Sequence, residues 1–231
     1  MATRFYFQAT GTPNITPAFD ASWEQTGQAI RLPLVQKPKL EVVTTLANQQ
    51  RTVPITTTQQ ILNTQFISDD VFYPVRLDAS VLFSTVIRVL ESATSANVFL
   101  AYILKAITPD GGTVLATLAS SMTNAGTEFV ATAATRIFGN GTTTVALTAT
   151  TLSEPWRLVI EVGGHAQAPS AAQSYTARFG TSGTTDFALT SALTTDLNPW
   201  MELSRNLDVM QMNNYQGYRV GTGMSRSESI R

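Results

Sequence analysis

Short runs of β-branched and aromatic residues, separated by residues that favour turns, recur along almost the whole chain. In the clearest run, PWRLVIEVGGH (155–165), apolar side chains occupy every second position: Trp156, Leu158, Ile160 and Val162. A period of two residues is typical of a strand with one buried face, so these side chains are predicted to face a core. Arg157 and Glu161 share the opposite face, which the same pattern predicts to be solvated on a half-buried strand.

The number and spacing of such runs predict an all-β fold. We count about nine or ten strand signals and no convincing helix, and two of the intervening turns, TPDGGT (108–113) and FGNGTTT (138–144), contain hairpin dipeptides. Threonine occurs 35 times, and its branched side chain fits a pleated sheet better than a helix. We predict a single two-sheet β-sandwich of the jelly-roll type over residues 1–204.

The composition changes after Ser204. The stretch 205–231 contains four arginines and two acidic residues, with three glycines and scattered apolar side chains, which predicts an extended arm. Two alternatives stay open at this point: a floppy terminus, or an arm that packs on something outside its own domain. The residues predicted to make such contacts are Leu207, Val209, Met210, Met212, Tyr215, Tyr218 and Arg219.

Charge, cysteine content and hydropathy narrow the range of partners. The formal net charge is −1 and the isoelectric point is about 5.8, which argues against nucleic acid as a partner. The absence of cysteine excludes disulfides and thiolate metal sites. No run is apolar and long enough for a signal peptide or a membrane span, so we expect no membrane partner and a protein made soluble in the cell that synthesises it.

No set of residues in the sequence has the spacing of a catalytic or metal site. His165 is the only histidine and lies in a stretch rich in glycine and alanine, where we predict a solvated loop. The carboxylates considered for paired acid–base chemistry are isolated from one another: Asp78, Glu91, Glu128, Glu154 and Glu161. One histidine without cysteine nearly excludes zinc, and no calcium-loop spacing is present. The predictions are therefore no catalytic residue, no cofactor, no metal and no enzyme activity.

The three tryptophans are the candidates for stacking on a sugar. Each of Trp23, Trp156 and Trp200 stands beside apolar residues or at the start of a strand, which favours packing inside the fold.

Six segments, in this order, resemble a group of virion proteins from tailed bacteriophages: ATRFYF, PAFDASWEQTGQAIRLPL, FLAYILKAITPDGGTVLATLA, PWRLVIEVGG, YTARFG and NPWMELS. The resemblance implies a jelly-roll protein of the virion, made in the host cytoplasm and located at the capsid surface. It further implies a decoration or cement protein that forms a homo-oligomer, with a trimer expected, and binds the major capsid protein. The alternative that it leaves open is a tail, fibre or baseplate module that binds a host glycan.

Overall fold

A computed structural model describes residues 2–36, 47–53, 57–72, 74–123, 127–137, 144–153, 155–169, 172–180, 185–195 and 197–207. For residues 47–53 it describes the backbone alone.

Fourteen strands and one 3₁₀ turn account for the regular structure of these residues. The strands are β1 (Thr3–Phe7), β2 (Ile30–Val35), β3 (Ala47–Val53), β4 (Gln59–Val71), β5 (Val75–Leu77), β6 (Leu82–Glu91), β7 (Val98–Ile107), β8 (Val114–Ser121), β9 (Ala134–Ile137), β10 (Val145–Ala146), β11 (Thr150–Leu152), β12 (Trp156–Ala166), β13 (Gln173–Phe179) and β14 (Trp200–Leu203). The 3₁₀ turn spans Thr94–Ala96.

Twelve of the strands are joined by hydrogen bonds in the order β3-β13-β6-β14-β1-β2-β4-β12-β7-β8, with β9 and β10 also paired to β6. The strands β5 and β11 form a separate two-stranded sheet. Along the main order the pairing is narrowest between β1 and β2, which share only two residue pairs. All other neighbours in this order are antiparallel except β2 and β4, which run parallel.

The long sheet folds over so that its two halves face each other. The hydroxyl of Tyr175 on β13 donates a hydrogen bond to the carbonyl of Ile61 on β4, at 2.9 Å, although four strands separate β13 from β4 in the sheet order. The rings of Phe7, Phe66 and Phe179 meet between the halves, with centroids 4.7 to 5.9 Å apart. The predicted all-β sandwich is therefore confirmed, and its core is the apolar layer between the halves.

The strand β12 lies at the centre of one layer, between β4 and β7. The alternation predicted for it is confirmed on one face, since Trp156, Leu158, Ile160 and Val162 all belong to the main core. The prediction that its other face is solvated is wrong, because all eleven residues of β12 are buried. Alternation along one strand reports which side chains share a face, whereas solvent exposure depends on what other parts of the chain pack there.

A third layer, formed by the segment between β1 and β2, covers that other face. Two prolines, Pro13 and Pro17, keep this segment out of a helix, and it lies in irregular conformation except for turns and one isolated bridge, Gln25 to Ile61. Within it Trp23 is buried and packs with Leu62 and Ile103 of the underlying strands. Buried polar side chains of β12, β4 and β7 also attach this segment to the sheet.

The two predicted hairpin turns have different outcomes. At 108–113 the chain does turn between β7 and β8: Gly111 has φ of +79° and the amide of Thr108 donates to the carbonyl of Thr113 at 2.9 Å. The second turn, at 138–144, lies outside the described residues except for its last position, Thr144.

Candidate functional site

The carboxylate of Glu161 is the centre of a buried polar cluster on the covered face of β12. The residue is 0% exposed, and four donors converge on its two oxygens. The Nζ of Lys105 lies 2.9 Å from Oε1 and the Nε2 of Gln65 lies 2.8 Å from it. The indole Nε1 of Trp23 donates to Oε2 at 2.7 Å, and the backbone amide of Asp20 lies 3.2 Å from both oxygens. Burial of this charge is tolerable because each oxygen is paired.

Strand pairing explains why these groups meet. Glu161 is directly opposite Gln65 on β4, and Lys105 on β7 is opposite Val159, one position along the same face of β12. Cross-strand neighbours on one face lie within reach of long side chains, so three adjacent strands each supply one member. Trp23 and Asp20 come from the covering segment, which the cluster therefore ties to the sheet.

Lys105 is 2% exposed and interacts with two carboxylates. Besides Glu161, its Nζ lies 3.6 Å from Oδ2 of Asp20. Burial raises the pKa of Asp20, but hydrogen bonds from Ser22 and the ammonium of Lys105 outweigh burial, so this pKa lies below its usual value. The cluster thus contains two anions beside one buried cation.

A second cation, Arg31, lies at the edge of the cluster. Its Nε donates to Oε1 of Gln65 at 3.0 Å and its Nη2 to the carbonyl of Pro17 at 3.0 Å, while its guanidinium lies 4.0 Å from the ring centroid of Phe19. Burial lowers the pKa of Arg31, and the charge of Glu161 opposes that shift. Arg31 therefore continues the network from Gln65 to the covering segment.

A glycine allows the covering segment to approach β12 closely. A Cβ placed on Gly163 would lie 2.2 Å from the carbonyl oxygen of Ile61 and 2.6 Å from the ring of Trp23. The strand pairing also shifts register between Val162 and Gly163. Any larger residue at this position would push Trp23 away, and its bond to Glu161 would be lost.

Arg157 makes a second attachment on the same face. Its Nε lies 2.7 Å from Oδ1 of Asp70, with which it forms an ion pair, and donates a hydrogen bond to the carbonyl of Pro109 at 2.9 Å. Its Nη1 donates to Oδ1 of Asn14 at 2.8 Å and to the carbonyl of Ser68 at 3.1 Å. Arg157 thus joins β4, the β7–β8 turn and the covering segment.

The prediction of a solvated loop for His165 is also wrong. His165 lies within β12, is 6% exposed, and its Nδ1 is 3.2 Å from Nε2 of Gln60 on the paired strand. Burial lowers the pKa of His165, against the opposing charge of Glu24. The glycines before it continue the strand rather than turn it, because a central strand with partners on both sides holds them extended.

A small cavity of about 60 Å³ lies beside Lys105. Its lining comprises Pro17, Ala18, Gln65, Lys105, Ile107, Gly111, Gly112, Val114 and Val159. The space is sufficient for a few water molecules, whereas pockets for drug-sized ligands measure roughly 300–1,000 Å³. The contacts of the Glu161 cluster join the covering segment to the layer formed by β4, β12 and β7.

The tryptophans Trp23, Trp156 and Trp200 are 5%, 0% and 3% exposed, so none of them is available to stack on a sugar. Within the described ranges, no group of three or more histidine, cysteine or acidic residues could hold a metal ion.

Leu207 is 3% exposed and belongs to the main core, so the body continues past Ser204. The other predicted arm contacts lie outside the described residues: Val209, Met210, Met212, Tyr215, Tyr218 and Arg219.

Part of this cluster has a visible signal in the sequence. Lys105 interrupts the run VFLAYILKAI, which is otherwise apolar on both faces, and a lysine buried in such a strand needs an anionic partner. The sequence does not indicate which carboxylate that partner is, since Asp20 and Glu161 are far from Lys105 along the chain.

No protein-family model matches the sequence, and no curated protein sequence matches it. Comparison with solved structures finds an α-amino acid ester hydrolase at 9% identity and a TM-score of 0.39, covering 90% of this chain and 36% of that one. A CocE/NonD family hydrolase from Staphylococcus aureus matches at 10% identity and a TM-score of 0.25, covering 88% of this chain and 34% of the other. A chain from infectious bursal disease virus, Gt strain, matches at 13% identity and a TM-score of 0.23, covering 68% and 37%.

The comparisons correct one prediction. Enzyme activity was predicted to be absent, and two hydrolases among the similar structures contradict that prediction. This chain spans about a third of the length of those two hydrolases, and every TM-score reported above is below 0.5. The matches therefore assign this chain no reaction, substrate or catalytic residue.

As for membranes, the part of the chain that the structure describes contains no helix long and apolar enough to span a bilayer.

Proposed function

We propose that the chain is a structural protein of a bacteriophage virion, a decoration or cement protein that oligomerises and binds the major capsid protein. In this proposal the sandwich is a stable body at the capsid surface, and residues 208–231 attach it to a neighbouring subunit or to the capsid protein. The resemblance of the six sequence segments suggests the class of protein. The observation that carries the attachment is that Leu207, immediately before the proposed arm, is held firmly in the body.

Three contacts hold Leu207 in the body. Its side chain lies in the main core, its amide donates to Oγ1 of Thr3 at 2.6 Å, and its carbonyl accepts from Nε2 of Gln36 at 3.0 Å. Two residues earlier, Nη1 of Arg205 donates to the carbonyl of Arg76 at 2.6 Å. A segment that begins at a fixed point loses less entropy on binding than one that begins at a loose end.

The sequence after Leu207 has the composition and length needed for such a contact. Fully extended, residues 208–231 could reach at most about 80 Å, enough to cross a neighbouring subunit. Holding them in place costs roughly 1–2 kcal/mol per residue in backbone entropy, so burial of anchors is required. Met210, Met212, Tyr215 and Tyr218 are the proposed anchors, and the arginines Arg219, Arg226 and Arg231 are proposed to pair with carboxylates of the partner.

The position of Leu207 determines where the chain should be cut to test this. A truncation after Ser204 removes a core residue along with the arm, and any loss of binding could then reflect an unstable body. A chain ending at Asp208 keeps Leu207 and its contacts. We expect this truncated chain to keep the unfolding midpoint of the full chain within a few degrees.

The test measures binding of both chains to phage particles that lack the protein, by co-sedimentation, and their mass in solution, by light scattering. In this proposal the body and the arm each contact the particle, so loss of the arm should weaken particle binding by roughly 10²–10⁴-fold. A full-length variant with both Met210→Ser and Met212→Ser should lose part of that affinity, and Ser225→Ala in the same segment serves as the matched control. Equal binding by the truncated and full chains would refute attachment through the arm. Failure of the full chain itself to bind any particle would refute the decoration role.

A further inference from the structure

A buried acid, Glu91, and a half-buried one, Glu128, lie at one end of the sandwich, separate from the Glu161 cluster. Glu91 is the last residue of β6 and is 1% exposed. Its Oε1 is buried without a hydrogen-bond partner among the described residues, and its Oε2 has only a long contact, 3.5 Å, with the amide of Val98. Oε1 of Glu128 is likewise buried without a partner in the described part of the chain.

The nearby cation does not neutralise either acid directly. Arg136 on β9 is 3% exposed, and its Nε and Nη1 donate to the backbone carbonyls of Glu128 and Thr135, both at 2.8 Å. Among the described residues it forms no ion pair within 4.0 Å of Glu91 or Glu128, although both carboxylates interact with it electrostatically. A buried carboxyl group with an unpaired oxygen, such as that of Glu91, is costly when charged, and more so near a second carboxylate; binding a proton relieves that cost.

Glu128 belongs to a short stretch of chain, Thr127–Val130, that packs against Glu91 and closes this end of the core. The amide of Glu91 donates to the carbonyl of Val130 at 3.0 Å, and the amide of Phe129 donates to the carbonyl of Val98 at 2.8 Å. Phe129 is 2% exposed and its ring lies 5.8 Å from that of Tyr175, the residue opposite Glu91 on β13. The stretch can therefore open only if Phe129 leaves the core.

We propose that Glu91 holds a proton in the closed structure and that its loss releases Thr127–Val130 from the end of the sandwich. The charged and titratable groups that face Glu91 are Glu128 on the closing stretch, Arg136 on β9 and Tyr175 on β13. The hydroxyl of Tyr175 donates a hydrogen bond to the carbonyl of Ile61. Of these only Glu128 adds a negative charge, so ionisation of Glu91 creates repulsion between Glu91 and the stretch that covers it.

The raised pKa of Glu91 determines how closure of the stretch depends on pH. Burial, and after it the charge of Glu128, raise the pKa of Glu91 from 4.5 to about 7, against the amide of Val98 and the charge of Arg136. Between pH 4.5 and about 7, the closed form therefore keeps a proton on Glu91 that the open form releases. Closure is favoured most below about pH 4.5 and becomes up to about tenfold less favourable for each pH unit up to about 7.

The proposed release of Thr127–Val130 can be tested by hydrogen exchange of the full chain between pH 5 and 8. Exchange is measured by NMR at the amides of Glu91 and Phe129. Protection, corrected for the intrinsic exchange rate at each pH, should fall by about tenfold per unit up to near neutral pH and then level off. The amides of β12 are the internal reference and should not follow this change. The carboxyl carbon of Glu91 should titrate near neutral pH in the same samples.

Two variants distinguish an effect of Glu91 protonation from a general loss of stability. Glu91→Gln imitates the protonated acid, so its protection at Phe129 should be independent of pH. Glu128→Gln removes the repelling charge, so the carboxyl carbon of Glu91 should titrate at lower pH than in the unmodified chain. Glu24→Gln, at an exposed carboxylate, is the matched control and should behave as the unmodified chain does. Protection that is constant across this pH range in the unmodified chain, or an unchanged titration of Glu91 in the Glu128 variant, would overturn the proposal.

Discussion

Replacing Glu161 by glutamine tests whether the buried cluster holds the covering segment on the sheet. The substitution preserves the shape of the side chain but removes its charge, and it turns one acceptor oxygen into an amide that donates. Four donors converge on the carboxylate, so at least one of them loses its partner. Lys105, 2% exposed, would keep only one charged partner, Asp20, at 3.6 Å.

Removing one partner of a buried ion pair costs roughly 3–5 kcal/mol in the free energy of unfolding. Since Asp20 still balances part of the charge of Lys105, we expect about 3 kcal/mol for Glu161→Gln, measured by urea denaturation with far-UV circular dichroism. The double variant with Lys105→Met should lose less than the sum of the two single losses, by about 1–3 kcal/mol, because the two groups act on each other. Tryptophan fluorescence should also change in the folded state, since Trp23 donates to this carboxylate at 2.7 Å.

Glu202→Gln is the matched control. Glu202 also pairs with a cation, Arg4, at 3.0 Å, but its side chain is 28% exposed and that of Arg4 is 35% exposed. A partly solvated pair of this kind should contribute no more than about 1 kcal/mol. The reasoning about Glu161 is refuted if its substitution costs as little as that of Glu202, or if the losses of the Glu161 and Lys105 variants are simply additive.

Two further substitutions test the packing around β12. Ile160→Ala, at a residue that is 0% exposed, should lower the free energy of unfolding by roughly 2–5 kcal/mol; a loss near zero in urea denaturation would contradict its place in the core. Gly163→Ala should cost about 1–3 kcal/mol and alter tryptophan fluorescence, because the added Cβ would lie 2.2 Å from the carbonyl oxygen of Ile61 and 2.6 Å from Trp23. Gly27→Ala, which has open space around the added Cβ, is its control, and equal stability of the two variants would show that Trp23 does not pack as described.

The sequence by itself determined the fold class and the inward face of β12. Both depend on local properties of the chain, namely the period of two along a strand and the turn residues between strands, and the structure agrees with them at Leu158, Ile160 and the turn at Gly111. The sequence also singled out Lys105 as the one charge in a run that is apolar on both faces. These features need no knowledge of which segments meet in space.

Only the tertiary structure decided what lies over the other face of β12. The pattern that places Glu161 opposite the core side chains is the same whether water or a third layer covers it, and the segment that does so is more than a hundred residues away in the chain. The same limit applies to His165, whose glycine-rich surroundings suggest a loop until β4 and β7 are paired on either side of it. Burial depends on how the layers assemble. A charged residue such as Glu161, which the sequence pattern predicts to be solvated, therefore lies between the sheet and the covering segment and joins them.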